Sequence, residues 1–128
     1  MTHEQEVEQV FTRACEILKL SGFSFRVMKR KAPVGAVRSY TVGYSRLDKK
    51  LVCVDILTAK KREPKKMSSI LSVIAHELAH FQKPPYRQRY RGKWINRIHF
   101  PKFYKQVAKN IEKFKKDKEL GEYYGSEN

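Results

Sequence analysis

The sequence His76-Glu77-Leu78-Ala79-His80 lies in a run whose apolar residues recur every three or four positions. These apolar residues are Ile70, Ile74, Leu78 and Phe81. A period of this kind predicts a helix that buries one face against a sheet or a second helix. The sequence therefore predicts an amphipathic helix that carries two histidines and a glutamate beside its buried stripe.

Residues with known helix preferences mark the limits of this helix. Ser68 or Ser69 supplies a side-chain oxygen of the kind that caps a helix start. Pro84-Pro85 cannot continue a helix, because proline lacks the amide hydrogen and clashes with the preceding turn. We therefore expect the helix to end near Gln82 or Lys83.

His76 and His80 are four residues apart, which on a helix places both imidazoles on one face, about 6 Å apart along the axis. Glu77 projects about 100° around the axis from His76. This is the H-E-x-x-H pattern, in which two histidines bind zinc and the glutamate is the general base of a metallopeptidase. The pattern predicts Zn²⁺ as the cofactor, His76 and His80 as metal ligands, and Glu77 as the catalytic residue.

The composition indicates one small domain. A chain of 128 residues with 41% apolar residues can bury one modest core, so we expect a single domain over residues 1–120 and a flexible tail over residues 121–128. Cys15 and Cys53 form no C-x-x-C pair, which excludes a zinc ribbon and a disulfide framework. The polar N-terminus is unlike a signal peptide, and no apolar run reaches the length of a membrane span. We therefore expect a cytoplasmic protein that does not bind membranes.

Basic residues outnumber acidic ones by 28 to 13, a formal net charge of +15. The excess is concentrated between Lys83 and Lys118, where thirteen Lys and Arg residues are accompanied only by Glu112 and Asp117. Such a surplus attracts polyanions, although many of these side chains are expected on the solvated faces of helices. The partners that we predict are a peptide or protein substrate and, through this basic surface, DNA or RNA.

The rest of the chain predicts an α+β fold. Thr2 and Gln5 have the spacing of a capping box, and a helical period follows over residues 3–20, with Gly22 at its end. Three segments have the alternation or the β-branched content of strands, namely residues 23–27, 36–44 and 51–57. The third segment is nearly continuous in apolar residues, so it should be the most buried. We expect the three strands to form a mostly antiparallel sheet.

Two further segments follow the helix of the motif. Residues 86–98 interleave Tyr, Trp and Arg, and we expect an irregular basic segment there. Pro101 is suited to the first turn of a helix, and the residues after it have a helical period with lysines on the opposite side. The sequence therefore predicts a C-terminal helix that begins near Pro101.

Catalytic zinc usually has three protein ligands and leaves the fourth position to water. His99, nineteen residues after His80 and just before the last helix, can return over the motif and is the predicted third ligand. Glu112 is the main alternative, because a His-His-Glu set also occurs in zinc peptidases. Glu119 and Glu122 are the other acidic candidates.

The helix with His76-Glu77-Leu78-Ala79-His80, followed by His99-Phe100-Pro101-Lys102-Phe103-Tyr104 at the start of a further helix, resembles the SprT-like and YgjP-like zincin families of small metallopeptidases. In those families a block of the form H-x-x-x-F/W supplies the third zinc ligand, and paired strands precede the motif helix. The resemblance implies a zincin-like fold in a minimal single-domain form, with His99 as the third ligand. Phe100 departs from the family pattern, in which a small or polar residue follows this histidine.

We therefore expect a zinc-dependent metallopeptidase. Glu77 would take a proton from zinc-bound water, and a free edge of the third strand would align an extended substrate. The candidates for stabilising the oxyanion are Tyr44, Tyr86, Tyr90 and Arg97.

A second hypothesis is a basic nucleic-acid-binding module whose zinc site is structural or vestigial. It rests on the charge surplus and on the aromatic residues interleaved with arginines from Tyr86 to Arg97, which can stack on bases. Both hypotheses can hold together, because the resemblance to SprT-like proteins implies proteases that act on DNA-bound proteins. A repressor-cleaving regulator of mobile elements, which also uses H-E-x-x-H, is a third alternative.

Overall fold

The computed structural model of this chain describes residues 1–28 and 41–125. The helices are α1 (His3–Ile17), α2 (Met67–Gln82), α3 (Pro101–Lys116) and α4 (Lys118–Gly125), with a short 3-10 helix at Leu47–Lys49. The strands are β1 (Ser24–Val27), β2 (Gly43–Arg46), β3 (Leu51–Val54), β4 (Tyr86–Tyr90) and β5 (Lys93–Arg97). The predicted α+β class is confirmed. Among the described residues, no helix combines the length and the apolar character that crossing a membrane requires.

The first three strands form a mixed sheet in the order β1-β3-β2, which corrects the expected mostly antiparallel arrangement. β1 runs parallel to β3, and β2 runs antiparallel to it. The physical reason is that all four residues of β3 are buried, so this strand takes the central position and separates the two strands that precede it. Of the strand expected over residues 36–44, residues 36–40 lie outside the described residues, and only Gly43 and Tyr44 belong to β2.

Helix α2 is the central element, because it contacts α1, α3, α4, β2 and β3. Its predicted apolar stripe lies in the core, where Ile70, Ile74 and Leu78 are fully buried and Phe81 packs edge-on against Phe23. The helix ends at Gln82 as expected. Burial of this stripe fixes the rotation of α2 about its axis, and therefore the direction in which the motif residues point.

The start of α2 differs from the prediction. Lys66 occupies the position before the first turn and makes no side-chain capping bond, so neither Ser68 nor Ser69 is the cap. Met67, the first helical residue, is buried in the core, so packing rather than capping sets the start. In the segment that leads to α2, the Arg62 guanidinium forms a buried, bidentate ion pair with the Asp55 carboxylate. Both N···O distances are 3.0 Å.

Helix α1 begins with the predicted capping box of Thr2 and Gln5. It ends at Ile17, three residues earlier than expected. The left-handed residue that terminates it is Lys19, with φ of 58°, and not the expected Gly22. The Leu20 amide donates to the Cys15 carbonyl, and the Lys19 amide donates to the Glu16 carbonyl. This pair of hydrogen bonds is the Schellman motif. A lysine therefore occupies a backbone position that glycine would take at lower cost.

Residues 86–98 form a hairpin rather than the irregular segment expected from the sequence. Strands β4 and β5 pair antiparallel, from Tyr86 opposite Arg97 to Tyr90 opposite Lys93. Arg91 and Gly92 connect them with φ of 51° and 78°, the left-handed pair that a tight two-residue hairpin turn requires. Arg-Gly is a weaker signal for such a turn than Asn-Gly, and the sequence reasoning missed it.

The C-terminal segment is more ordered than expected. Helix α3 begins at Pro101, as predicted, and α4 continues to Gly125, with Leu120 buried in the core. Residues 121–125, expected to belong to a flexible tail, are therefore helical, and residues 126–128 lie outside the described residues. The sequence reasoning missed α4 because it is short and Leu120 is its one fully buried residue.

Asp117, the residue between α3 and α4, joins the C-terminal helices to α1. One carboxylate oxygen accepts hydrogen bonds from the amides of Glu119 and Leu120, which caps α4. The same carboxylate accepts two bonds from the Arg13 guanidinium of α1. The bonds from Arg13, followed by those from the α4 amides, lower the pKa of Asp117 below its ordinary value of 3.8.

We predict that Asp117→Asn lowers the stability of the protein at neutral pH and flattens its acid dependence. Asn caps a helix about as well as Asp, so this change removes mainly the charge that Arg13 binds. Because the pKa of Asp117 is lower in the folded chain, its contribution is present above about pH 4 and is lost as the pH falls through the lowered value. Urea unfolding at a series of pH values measures this, with Asp48→Asn, at an exposed acid, as the matched control. Equal acid dependence in all three proteins would contradict the prediction.

Candidate active site

Three histidines converge at one end of the cleft between α2 and the segment that precedes α3. His76 and His80 come from adjacent turns of α2, and His99 comes from the connection between β5 and α3. One ring nitrogen from each of the three lies within 4.8 Å of the others. Three imidazoles are a donor set that suits zinc, so the residues present fit the predicted ion. The assignment of these histidines as zinc ligands remains a prediction.

Phe103, in the first turn of α3, forms the apolar floor of this cluster. Its ring is fully buried and lies 5.0 Å from the ring of His76, 4.5 Å from that of His80 and 5.1 Å from that of His99. The sequence reasoning noted Phe103 as the aromatic residue of the H-x-x-x-F/W block but did not predict its contact with the three imidazoles.

Burial keeps the two helical histidines uncharged. Desolvation, followed by the nearby His76 and His99, lowers the pKa of His80 to about 4. Desolvation and then His99 also lower the pKa of His76 below its ordinary value. Both imidazoles are therefore neutral at neutral pH, and the neutral form is the one that binds a metal ion.

Glu77 lies beside the histidines and is only 6% exposed. The Ser45 hydroxyl of β2 lies 2.7 Å from Glu77 Oε1 and 3.0 Å from the Glu77 backbone oxygen. Desolvation raises the pKa of Glu77, and the hydrogen bond from Ser45 opposes that rise. The sequence reasoning did not identify Ser45, because a lone serine next to a predicted strand carries no recognisable motif.

Gly43 allows β2 to approach α2 closely at this point. A Cβ atom at position 43 would lie 2.8 Å from Val73 Cγ1, 3.1 Å from the Cys53 backbone oxygen and 3.4 Å from Glu77 Oε2. Any side chain here would therefore push the strand away from the helix and displace the carboxylate. The backbone φ at position 43 is outside the left-handed region, so it does not itself demand glycine. The close approach of the strand to the helix does.

Asn110 of α3 fixes the position of α3, and with it Phe103 and His99, relative to α2. This side chain is fully buried, and its amide nitrogen donates to the Ala75 carbonyl at 3.1 Å and to Gln82 Oε1 at 2.7 Å. Its oxygen accepts a bond of 3.0 Å from Gln106. A buried amide with all these partners specifies one relative placement of two helices better than apolar packing alone.

A cleft of about 330 Å³ opens over the histidines. Exposed apolar residues, Leu47, Pro85 and Ile98, lie on its rim. Its other lining residues come from β2 and from the three histidines and their neighbour Glu77, and are Gly43, Tyr44, Ser45, His76, Glu77, His80 and His99. The cleft therefore brings together a strand, the carboxylate and the three imidazoles, with apolar surface next to them.

The other candidates from the sequence do not join this cluster. Glu112 is exposed on α3, and Glu112, Glu119 and Glu122 all lie outside the described group of converging ligand atoms. Tyr44 lines the cleft but lies opposite Cys53 in the pairing of β2 with β3, and the Cys53 side chain raises the pKa of its phenol. Tyr86 packs against Phe100, with ring centroids 5.0 Å apart.

The two remaining oxyanion candidates interact within the hairpin. The Arg97 guanidinium lies over the Tyr90 ring, 5.9 Å from its centroid, and its Nε donates to Gln88 at 2.8 Å. These contacts hold both side chains on the hairpin. The contacts of the four candidates do not identify one of them as the oxyanion stabiliser.

We predict that Ser45→Ala raises the pKa of the Glu77 carboxyl further, because it removes a donor that stabilises the ionised form. A ¹³C NMR titration of the labelled carboxyl groups measures this pKa directly. Ser72→Ala is the matched control, since that hydroxyl bonds the Ser68 carbonyl on the exposed side of the same helix. An unchanged or lower Glu77 pKa in Ser45→Ala would contradict the described hydrogen bond.

We predict that Gly43→Ala destabilises the fold by about 1–3 kcal/mol, the usual cost of overpacking. The new methyl group would overlap Val73 Cγ1, which cannot move aside easily because valine is branched at Cβ. Chemical unfolding of Gly43→Ala, Val73→Ala and the double variant tests the cause. The double variant should lose less stability than the sum of the single changes, and simple additivity would show that the overlap is not responsible.

The chain matches no family model, no curated protein and no solved structure. The evidence for the function of the site therefore comes from its own residues.

Proposed function

We propose that this chain is a zinc-dependent metallopeptidase, a minimal single-domain relative of the SprT-like and YgjP-like zincins. The observation that carries the proposal is the convergence of His76, His80 and His99, with Glu77 buried beside them on the same helix. A closed structural site would need a fourth ligand. In the part of the chain that the structure describes, no further His, Cys, Asp or Glu joins the group, which favours a catalytic site.

The residues of the site divide the chemistry between them. A zinc ion held by the three imidazoles would supply Lewis acidity, which polarises a carbonyl and makes water acidic enough to lose a proton near neutral pH. Glu77 accepts that proton and passes it to the leaving amine. Ser45 holds Oε1, so Oε2 is the oxygen that exchanges the proton. The raised pKa of Glu77 suits this role, because a group that both takes and gives a proton works best near the operating pH.

The substrate is an extended peptide that pairs with β2. The sequence pointed to the edge of β3, but β3 is the central strand and both its edges are occupied by β1 and β2. β2 lines the cleft, and no described strand pairs with its outer edge. A peptide added there brings a backbone carbonyl next to the histidines. The apolar rim formed by Leu47, Pro85 and Ile98 favours an apolar side chain beside the scissile bond.

The purified protein should hold about one equivalent of zinc per chain and hydrolyse a fluorogenic peptide with an apolar residue beside the scissile bond. His76→Ala, His80→Ala and His99→Ala should each lose zinc and activity together. Glu77→Gln should keep the zinc while turnover falls by about 10²-fold or more, because only proton transfer is removed. Zinc is measured by atomic emission and turnover by fluorescence.

Two variants serve as matched controls. His3→Ala changes the fourth histidine of the chain, whose ring bonds the Ile56 carbonyl, and should keep both zinc and activity. Glu112→Gln should do the same, because Glu112 lies outside the converging group. Loss of zinc in Glu112→Gln but not in His99→Ala would reverse the choice of third ligand. Tightly held zinc without turnover in the unaltered protein would instead support the structural site of the nucleic-acid-binding alternative.

A further inference from the structure

The hairpin of β4 and β5 is a separate surface from the cleft. Its two strands pair with each other, and no other strand of residues 1–28 and 41–125 pairs with them. Every side chain of β4 is exposed, and on the facing strand Trp94 is 56% exposed. A two-stranded hairpin is only marginally stable by itself, and a group of large rings exposed on such an element indicates a binding surface.

Arginines lie against two of the exposed rings of the hairpin, those of Trp94 and Tyr90. On one face, the guanidinium carbons of Arg87 and Arg89 lie 5.0 Å and 5.4 Å from the ring centre of Trp94. On the other face, those of Arg91 and Arg97 lie 5.2 Å and 5.9 Å from the ring centre of Tyr90. Each ring is therefore presented to solvent together with two cations.

Among the described residues, no acidic group neutralises these cations. The sequence has no Asp or Glu between Glu77 and Glu112, and none of the ion pairs among the described residues involves the hairpin. Lysines on the exposed side of α3, Lys102, Lys105 and Lys109, continue the positive charge along the chain. Uncompensated guanidinium groups bind phosphates strongly, often with two hydrogen bonds at once.

We propose that the β4–β5 hairpin binds single-stranded nucleic acid. A base stacks on Trp94 on one face or on Tyr90 on the other, and the guanidinium groups beside each ring contact the phosphates next to that base. A single strand fits better than a duplex, because duplex bases already stack on one another and cannot cover a protein ring. The proposal is independent of the metal centre and holds whether or not the cleft hydrolyses peptides.

Trp94 is the only tryptophan of the chain, so it reports directly on this surface. We expect an oligothymidylate of about 16 nucleotides to quench its fluorescence in the intact protein. Anisotropy of labelled oligonucleotides of one sequence gives the affinities for single-stranded DNA, single-stranded RNA and the DNA duplex. Anionic phospholipid vesicles are then added as competitors. Single strands should bind tighter than the duplex, and the vesicles should compete poorly.

Variants assign the binding to the hairpin. Trp94→Ala should weaken single-strand binding by about ten-fold, while Trp94→Phe keeps a stacking ring and most of the affinity. The double change Arg87→Gln and Arg89→Gln should reduce the slope of log affinity against log salt by about 1.4, as expected for two lost phosphate contacts on a single strand. The matched control, Lys60→Gln with Lys61→Gln, removes the same charge from an exposed loop and should leave the slope nearly unchanged.

Three results would overturn the proposal. The first is unquenched Trp94 fluorescence with equal binding by the protein and Trp94→Ala. The second is tighter binding of the duplex or of the vesicles than of single strands. The third is an equal loss in the hairpin and loop double variants, which would show attraction by net charge alone. Circular dichroism and thermal unfolding of each variant separate lost binding from lost structure.

Discussion

The burial of one face of α2 is the constraint on which the rest of the structure depends. Ile70, Ile74 and Leu78 are fully buried, and together they set how the helix is rotated against the sheet and α1. Residues four apart share a face, so His76 and His80 then point in one direction without further adjustment. Between them, Glu77 points toward β2, where Ser45 holds its carboxylate. The apolar core thus determines the directions of the polar groups of the candidate site.

The elements predicted well from the sequence are those with strong local signals. The motif helix, the capping box at Thr2 and the helix start at Pro101 each depend on residues within one or two turns. The central position of β3 followed less directly, because its continuous apolar run indicated burial but not which strands lie on either side. The mixed sheet could not be derived, since strand order depends on contacts between segments far apart in sequence.

The same distinction applies to the site. His76, Glu77 and His80 form a motif with fixed spacing, so the sequence identified them directly. The contacts of Ser45, Gly43 and Asn110 join different elements of the fold. Ser45 is 32 residues from Glu77 in sequence, and Asn110 is 35 residues from Ala75. Neither a lone serine in a strand nor an asparagine among lysines differs in sequence from a surface residue. Their roles become visible only when the two elements are placed together.

The charge of this protein places a physical demand on its proposed metal site. A chain with a formal charge of +15 repels a divalent cation, and the thirty-four residues from Leu78 to Ile111 contain no carboxylate. Exposed charges beyond a Debye length, about 10 Å at 0.1 M salt, are largely screened, so the nearby groups decide binding. Those groups include the imidazoles of His76 and His80, which desolvation keeps neutral, together with the carboxylate of Glu77. Ligands without charge of their own add no repulsion, and the basic hairpin can therefore occupy the connection between His80 and His99 while the site remains suited to zinc.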